Sequence, residues 1–531
     1  MEGSISTILN TRMMYGEREH MMKKTMAVIM AAVFMAASLT GCNTSNLAGT
    51  DTTGQAPDKK IIRVSESFAL QTLNPHLDYQ GWYTSIYGVT ETLFYMNNQS
   101  TLTPLIAESA KADGTLWTIT LKEHTSFSNG DPVTPDMVIR NLKAAGEINT
   151  RFADFKDYTY AVVDQKTFTI DTKKVYPMLL NDLASPELAI ADLDHSGDMK
   201  SELVATGPFV VSSFEPGGTI EVARNEQYWN GRAKLDGAVF YYMPEAGTSM
   251  MAMQNGELDA YTSVTSDAAE QYRKEPEKYK LTTIPATRLQ FYILNENRQN
   301  EAVRKAINLT VDAKTIEGYL NGTVSETVGP FSPTAPYGKV TKAKPDVTAA
   351  KALLEADGYT LNSDGYYEKN GKVLSIKLAY YAARSLDTLA ALMQEQLKEA
   401  GIMAVLTCEE DPDGTYIATG DFDIGLFCMI ADKAGDPYYF ISCTLKDGAP
   451  YNCGGFQNEQ VQSEILKLET EADTKERARL ADQIIQTAID ENAFGYVALF
   501  NKITVTRNGV SGVAENNPFD FYFLNADTDM D

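Results

Sequence analysis

The sequence predicts a mixed α/β protein with two or more lobes. From Ile61 onward, segments with the period of a strand alternate with segments with the period of a helix, and no repeat unit is present. About 490 residues follow Gly41, which is more than one hydrophobic core usually serves. With 44% hydrophobic and 10% aromatic residues, the chain can bury such cores and does not have the composition of a disordered protein.

The N-terminal segment has the pattern of a lipoprotein signal peptide. Lys23 and Lys24 precede a short apolar run, residues 26–37, and small residues follow it up to Cys42. The run is shorter than the roughly 20 residues that a transmembrane helix needs. Leu39-Thr-Gly-Cys42 resembles the lipobox of bacterial lipoproteins, in which the cysteine thiol receives a lipid. The alternative is an ordinary signal peptide with an incidental cysteine.

This pattern predicts where the mature protein begins and where it resides. We expect residues 1–41 to comprise upstream residues and the signal peptide, and Cys42 to be the lipid anchor. Residues 42–57 are small and polar, as expected of a flexible tether. The predicted location is therefore extracytoplasmic, at the cell surface or in the periplasm, on a membrane that holds the lipid of Cys42.

Individual elements can be assigned from local patterns in the body of the chain. Residues 117–122 and 168–172 alternate apolar and polar side chains, which predicts two half-buried strands. Apolar residues repeat at helical spacing from Leu386 to Leu397, and Gly401 follows as a helix stop. Asp473-Thr-Lys-Glu476 is typical of a helix start of the capping-box type.

Charge and motifs exclude several classes of function. The net charge of −25 disfavours a nucleic-acid partner, because such a surface repels the phosphate backbone. The sequence contains neither a Gly-x-Ser-x-Gly elbow nor a His-Glu-x-x-His zinc motif, and it lacks both glycine-rich nucleotide motifs. His76, His124 and His195 do not have the spacing of metal ligands. We therefore predict neither an enzyme nor a protein metal site.

The four cysteines after Cys42 are Cys408, Cys428, Cys443 and Cys453. An exported protein is exposed to oxidising conditions, where disulfides form. Cys443 and Cys453 are ten residues apart across a glycine-rich region, and we predict a disulfide between them, although the spacing leaves other pairings open.

A series of short motifs follows one order over most of the chain. The motifs are Leu105-Ile-Ala-Glu-Ser109, residues 127–138, Thr206-Gly-Pro-Phe209, Asn225-Glu-Gln-Tyr-Trp229 and Gly435-Asp-Pro437. In this order they resemble the family 5 solute-binding proteins, which are the peptide- and nickel-binding components of ABC importers. Each motif also has a structural explanation as a turn or a helix start, so the resemblance supports architecture better than it supports ligand identity.

The resemblance implies a two-lobed, periplasmic-binding-protein-like fold of type II, with mixed sheets and an interlobe cleft. Lobe one would span residues 58–285, with 500–531 returning to it, and lobe two would span 286–499. The chain would cross between the lobes near residues 288–292 and 496–500. The expected partners are an ABC permease and its ATPase subunits, and the protein itself would be a monomer.

The resemblance also implies candidate ligand-binding residues. An aspartate holds the ammonium of a bound peptide in peptide-binding members, and either Asp432 or Asp436 occupies the corresponding place. Arg151 corresponds to an arginine that binds a ligand carboxylate. We rank a short peptide slightly ahead of a nickel chelate because it is the larger class. No cofactor is expected, and nickel would bind only as part of a chelate.

Two other functions are compatible with an exported protein of this composition. An exported glycan-degrading lipoprotein would need a pair of catalytic carboxylates, and the sequence does not point to one. A binding receptor used for sensing would share the fold and the cleft of a transport protein.

Overall fold

The computed structural model describes residues 59–531. The predicted signal peptide, the anchor Cys42 and the tether lie outside the described residues. Within residues 59–531, none of the helices combines the length and the apolar character needed to cross a membrane.

One 11-stranded sheet extends through the whole of the described chain. From one edge to the other its strands are Met403–Cys408, Ser375–Tyr380, Ile424–Ile430, Tyr279–Leu294, Phe494–Arg507, Ala260–Tyr261, Ile61–Glu66, Gly237–Tyr242, Ile220–Arg224 and Phe209–Phe214, and Val324–Glu326 pairs with Phe494–Arg507. The sheet contains both parallel and antiparallel neighbours, so it is mixed as the sequence predicts.

Two strands at the centre of this sheet are much longer than the others, and we call them the long strands. They are Tyr279–Leu294 and Phe494–Arg507, which pair antiparallel with each other. Their pairing shifts register between Pro285 and Leu289 and again between Gln290 and Phe291. The predicted crossings between lobes therefore fall within one pair of strands, at the place where its regular pairing is interrupted.

The buried hydrophobic residues separate into two sets on either side of this interruption. Two large clusters draw their buried residues only from positions 289–499. Four others draw theirs from positions 62–279 and 503–524. We call these two parts the second lobe and the first lobe. The protein is thus two-lobed, and this division supports the predicted boundaries, which stay a prediction at the level of single residues.

Smaller sheets and helices complete each lobe. The first lobe has a four-stranded sheet of Ala107–Asp113, Leu116–Leu121, Thr167–Asp171 and Thr159–Val162, and a pair of Phe94–Met96 and Leu102–Pro104. A three-stranded sheet in the second lobe joins Thr360–Leu361, Tyr367–Lys369 and Lys372–Val373, and near the C-terminus Val510–Ser511 pairs with Asp529–Met530.

Helices surround these sheets in both lobes. Those of the first lobe are Gln80–Ile86, Pro135–Ile148, Leu179–Asp182, Ala246–Gln254 and Ser266–Arg273, with 3₁₀ turns at Thr150–Lys156 and Pro186–Leu188. Those of the second lobe are Glu301–Thr310, Ala313–Tyr319, Val347–Ala356, Leu386–Glu399, Tyr438–Thr444, Glu459–Thr470 and Thr474–Asp490, with a π turn at Asp413–Ile417.

The elements predicted from local patterns are confirmed. The two predicted strands are Leu116–Leu121 and Thr167–Asp171. The predicted helix runs from Leu386 to Glu399, and Gly401 follows it in the left-handed conformation, with φ of 78°. Asp473 accepts hydrogen bonds from the N–H groups of Lys475 and Glu476, so its carboxylate caps the helix that begins at Thr474.

The structure differs from the predicted disulfide. Cys443 and Cys453 are both free thiols, as are Cys408 and Cys428. The turn between them closes through the backbone instead, since Tyr451 N–H donates to the carbonyl of Cys443 at 3.0 Å. Both thiols pack partly buried against the apolar core of the second lobe, where cysteine acts as a small hydrophobic residue.

Candidate functional site

A cavity of about 490 Å³ lies beside the long strands and is bounded by both lobes. Most of its wall comes from the first lobe and from the long strands, and Arg384 reaches it from the second lobe. Aromatic side chains form much of the surface, among them Trp82, Tyr83 and Tyr522. Its size and its mixture of aromatic and charged groups are typical of a site for a small organic ligand.

The first lobe contributes two carboxylates to this cavity, those of Glu66 and Asp520. Glu66 ends the strand Ile61–Glu66 and accepts a hydrogen bond from Ser67 N–H at 2.9 Å. The pKa of Glu66 is raised to about 7, mainly because the carboxyl is buried and in smaller part because the charge of Asp520 is nearby. The aromatic ring of Tyr83 lies near both carboxylates, so the two form one acidic side of the cavity.

Two guanidinium groups, those of Arg288 and Arg384, form a basic side. Arg288 projects from one long strand. Arg384 and Ser385 both adopt left-handed backbone conformations, with φ of 55°, directly before the helix Leu386–Glu399. Gln290 fixes this turn, since its Nε2 donates to the carbonyl of Arg384 at 2.7 Å. Such backbone conformations cost on the order of 1–3 kcal/mol for residues other than glycine and concentrate at ligand sites.

Lys502 organises the C-terminal wall of the cavity. The side chain is half-buried, and its ammonium donates to four backbone carbonyls of one loop, at 3.1 to 3.3 Å, namely those of Ala514, Asn517, Phe519 and Tyr522. Burial lowers the pKa of Lys502 to about 8. Because these carbonyls surround the ammonium, Lys502 holds the loop in place and is not free to bind a ligand.

Arg151, a predicted ligand-binding residue, lies at the edge of the cleft but already has partners. Its Nη2 donates to the carboxylate of Glu187 at 2.8 Å and to the carbonyl of Asp78. The guanidinium also lies 3.7 Å from the centre of the Tyr79 ring. Trp82 connects this group to the cavity, since its Nε1 donates to Glu187 at 3.1 Å.

The local fold places Arg151 there through one buried amide. Asn149 ends the helix Pro135–Ile148 and caps the following 3₁₀ turn, where its Oδ1 accepts from Arg151 N–H at 3.2 Å. Its Nδ2 donates to the carbonyls of His76 and Asp78, each at 3.0 Å. The amide therefore ties the turn that carries Arg151 to the loop before the helix Gln80–Ile86.

Asp432 and Asp436, the two candidates for an ammonium site, both have partners within the second lobe. Asp432 is 1% exposed, and its two oxygens accept from Tyr337 O–H and Gly435 N–H, each at 2.6 Å. Burial raises the pKa of Asp432 to about 7. Asp436 forms a two-point ion pair with Arg477, with contacts of 2.6 to 2.9 Å. In this structure both carboxylates shape the loop rather than point into the cavity.

Comparison with known proteins identifies the family. The model of the family described as "Bacterial extracellular solute-binding proteins, family 5 Middle" matches residues 101–451, which is more than half of the chain. The chain belongs to this family. Its members bind a solute for ABC importers and are not enzymes, so the alternative of a glycan-degrading protein does not hold for this family 5 protein. The family carries no cofactor, and nickel is bound by some members as a chelate.

Relatives of this family 5 protein carry different ligand names. The nickel-binding protein NikA of Staphylococcus aureus is 25% identical over 496 residues, covering 92% of this chain and 95% of its own length. The dipeptide-binding protein DppE of Bacillus subtilis is 23% identical and covers 91% and 95%. The solved structure of a nickel ABC transporter protein from Bacillus halodurans has a TM-score of 0.82 at 24% identity, covering 89% and 100%, which shows the shared two-lobed fold.

The loop that contains the family motif Gly435-Asp-Pro437 makes direct contacts with the first lobe. Lys433 Nζ lies 4.5 Å from the centre of the Phe152 ring. Asn181 Nδ2 donates to the carbonyl of Ala434 at 2.7 Å. Gly435 has φ of 76° and packs so closely on Met96 that a Cβ would overlap the Met96 side chain. These contacts are not predicted from the sequence. The sequence feature that points to them is the glycine of the motif, because glycine permits a close approach of the backbone.

Nitrogen and sulfur donors for a metal are missing from the cavity wall, which contains neither histidine nor cysteine. His76 is buried beside Arg151, but its Nδ1 contacts the Glu187 carbonyl at 2.8 Å and its Nε2 contacts Asn141 at 3.2 Å. Elsewhere, His195 lies near two aspartates, and the amide of Asn129 donates to both of those carboxylates. The cavity therefore suits a metal only if a bound chelator supplies its donors.

Proposed function

We propose that this protein is the substrate-binding lipoprotein of an ABC importer, which captures a nickel chelate or a short peptide between its lobes. The observation that carries the proposal is a cavity of about 490 Å³ bounded by two lobes that one pair of long strands connects. Such a connection permits the lobes to open and close about the site, as in hinge-bending binding proteins. Closure removes the ligand's charges from water and gives them fixed partners.

Of the two ligand classes, we place the nickel chelate first. The sequence alone favours a short peptide, because peptide-binding proteins are the larger class in the family. The reason for our order is Asp432, the first candidate for holding a peptide ammonium, whose two oxygens are occupied within the second lobe. Asp436 is similarly occupied by Arg477. The relatives include a nickel-binding and a dipeptide-binding protein at similar identity, so a short peptide is the second candidate.

A chelate also agrees with the donors available in the cavity. The wall offers carboxylates, guanidinium groups and aromatic rings, but no imidazole or thiolate for nickel. A chelator such as histidine would supply nitrogen donors to the metal, and its carboxylate would bind to arginine. The protein would then recognise the organic part of the complex rather than the metal itself.

The lipid on Cys42 would keep the protein at the membrane that contains its permease and ATPase subunits. A tether of residues 42–57 would confine the protein to a thin layer above the membrane and raise its effective concentration at the permease. The signal-peptide pattern and the lipobox resemblance support this part of the proposal.

A thermal-shift screen tests the ligand classes. The mature protein is heated with Ni²⁺ alone, with Ni²⁺ and L-histidine, and with a panel of dipeptides. A true ligand at a hundredfold its dissociation constant should raise the free energy of unfolding by about 2.7 kcal/mol. We expect the largest shift with Ni²⁺ and histidine together. If all three conditions leave the melting temperature unchanged, the proposed ligand classes are wrong.

A further inference from the structure

Two arginines in the cavity differ from Arg151 in what surrounds them. Arg151 already donates to a carboxylate and a carbonyl and stacks on a tyrosine. Within residues 59–531, by contrast, the guanidinium groups of Arg288 and Arg384 have neither an ion pair nor a hydrogen bond to a carbonyl or carboxylate. Both line the cavity, and both lie near Tyr381 and the buried thiol of Cys428. They are therefore neighbours, and although Arg288 also has the thiol of Cys428 as a partner, together they offer N–H donors that neither a carboxylate nor a carbonyl of the described residues uses.

The backbone around Arg384 is built to hold that side chain at the cavity. Two successive residues, Arg384 and Ser385, take left-handed conformations that favour glycine or asparagine. A buried amide, that of Gln290 on a long strand, then fixes the carbonyl of Arg384 at 2.7 Å. The strand that carries Arg288 therefore also positions the turn that carries Arg384. Strain maintained in this way at a cavity wall is a mark of a binding site.

The opposite charge lies on the other lobe. Glu66 and Asp520 belong to the first lobe and both lie near Tyr83. Arg384 belongs to the second lobe, and Arg288 lies on the strand between the two lobes. Lys502 also lines the cavity and its charge lies near Asp520, but its N–H donors are taken up by the carbonyls of its own loop. A ligand in the cavity thus meets carboxylates from the first lobe and guanidinium groups from the second lobe and the central strand.

We infer that the cavity binds an amino-acid-type ligand, whose carboxylate is held by Arg288 and Arg384 and whose amine or metal-bound end faces Glu66 and Asp520. The inference rests on the proposed function and sharpens it. A carboxylate fits the planar donor edges of two guanidinium groups, which neutral or purely cationic ligands cannot use. The class includes a metal complex of histidine as well as a dipeptide.

This arrangement also connects binding to closure. A carboxylate held between Arg288 and Arg384 would join the central strand to the second lobe, while the amine end would contact the first lobe. The closed form would therefore gain ion pairs that an open cleft cannot make at the same time. A ligand that lacks either charged end should favour closure less, because it binds the two states more equally.

The test compares matched ligands with matched variants by isothermal titration calorimetry. The probes are Ni²⁺ with L-histidine against Ni²⁺ with L-histidinamide, and alanyl-leucine against its C-terminal amide. Each amide retains the amine of its partner and loses only the carboxylate. The variants are Arg288→Gln, Arg384→Gln, their double variant and Arg151→Gln. Arg479→Gln is the control, since Arg479 lies on the exposed face of the helix Thr474–Asp490 and pairs with Glu476.

The wild type should bind the carboxylate form of at least one pair about tenfold more tightly than the amide. Arg288→Gln and Arg384→Gln should each weaken binding of the carboxylate form about tenfold or more, and the double variant should no longer distinguish acid from amide. Arg479→Gln should behave as the wild type. Arg384 is exposed, so the Arg384→Gln variant should fold. It therefore tests the inference even if the Arg288→Gln variant does not fold.

The outcomes separate this inference from the proposed function. If the wild type binds a probe but does not distinguish acid from amide, the inference is wrong and the importer function stands. The same holds if Arg384→Gln keeps full affinity while Arg151→Gln loses the preference for the acid. If the wild type binds none of the probes, the proposed ligand classes themselves fail, and the inference fails with them.

Discussion

The guanidinium of Arg151 donates to the carboxylate of Glu187 at 2.8 Å, and that carboxylate is almost completely buried, with 2% of its side chain exposed. A buried carboxylate of this kind depends on its cation, because an unpaired charge loses its hydration without compensation. The pair therefore stabilises the fold at the edge of the cleft, and the role of Arg151 as a clamp for ligand carboxylates, which the family resemblance implies, stays a prediction.

Replacing Arg151 with alanine should destabilise the protein. The change leaves Glu187 buried without a cation, and loss of one partner of such a pair costs about 3–5 kcal/mol. Urea unfolding measures the effect. The double variant Arg151→Ala with Glu187→Gln should recover much of the loss, because the remaining amide is neutral. A stable Arg151→Ala protein that has lost ligand affinity would instead support the clamp role.

Gly435 should be necessary for closure. Gly435→Ala introduces a methyl group into the space of Met96 and places alanine at a φ of 76°. We expect weaker ligand binding and a larger radius of gyration in solution scattering with ligand present. Gly448→Ala is the control, because Gly448 has a similar φ of 72° but open space around its Cβ position. Combining Gly435→Ala with Met96→Ala should restore part of the affinity, and equal behaviour of the two glycine variants would contradict this role.

Asp432 should make the protein less stable as the pH rises through the neutral range. Its folded-state pKa of about 7 is above its unfolded value of about 3.8, so between these values the folded state binds the proton more strongly. Stability from this group is therefore present at low pH and is lost as the pH approaches 7. From pH 5 to 7.5 the loss should be about 2–3 kcal/mol.

Denaturant unfolding of Asp432→Asn at these two pH values checks the expectation. The variant has no proton to lose there, so its stability should fall less than that of the wild type. Asp164→Asn serves as control, because Asp164 is exposed and its pKa is lowered by backbone N–H groups. If the wild type and Asp432→Asn lose equal free energy of unfolding between the two pH values, Asp432 does not titrate in this range.

Lys502 should be needed to order the C-terminal loop. Lys502→Met keeps the length of the side chain but removes the donors to the carbonyls of residues 514, 517, 519 and 522. Four partly buried carbonyls would lose a partner, so we expect a loss of about 2 kcal/mol in the free energy of unfolding. Hydrogen exchange should rise selectively in residues 514–522, and uniform exchange across the protein would contradict a local role.

Cys42 should determine membrane attachment. Cys42→Ser removes the thiol that would carry the lipid, so labelled fatty acid should no longer be incorporated and the protein should leave the membrane fraction. Cys408→Ser is the control, because Cys408 is an exposed free thiol of the described chain. A Cys42→Ser protein that still carries lipid would refute the anchor.

Prediction from sequence succeeded where structure depends on neighbours along the chain. The helix Leu386–Glu399 follows from apolar residues at helical spacing, and the start at Thr474 follows from the capping side chain of Asp473. Such features use contacts within a few residues, so their pattern is visible in the sequence. The predicted disulfide between Cys443 and Cys453, by contrast, is not present in the structure. Its prediction rested on a spacing of ten residues, which does not specify how two thiols are oriented.

The candidate site depended on contacts that no local pattern records. Arg288 and Arg384 are almost a hundred residues apart, and only the sheet and the turn held by Gln290 bring them to one cavity. The place of Asp432 in a motif predicts a ligand-binding residue, whereas its burial and its hydrogen bond from Tyr337 O–H come from the tertiary structure.

By itself, the sequence determined the net acidic charge, the local elements and, through ordered motifs, the family, and its N-terminal pattern predicts export. Within residues 59–531, the tertiary structure alone decided which charged groups have partners inside the protein and which do not. The physical reason is that periodicity and capping act over a few residues, whereas the burial and pairing of a charge depend on segments that only folding brings together.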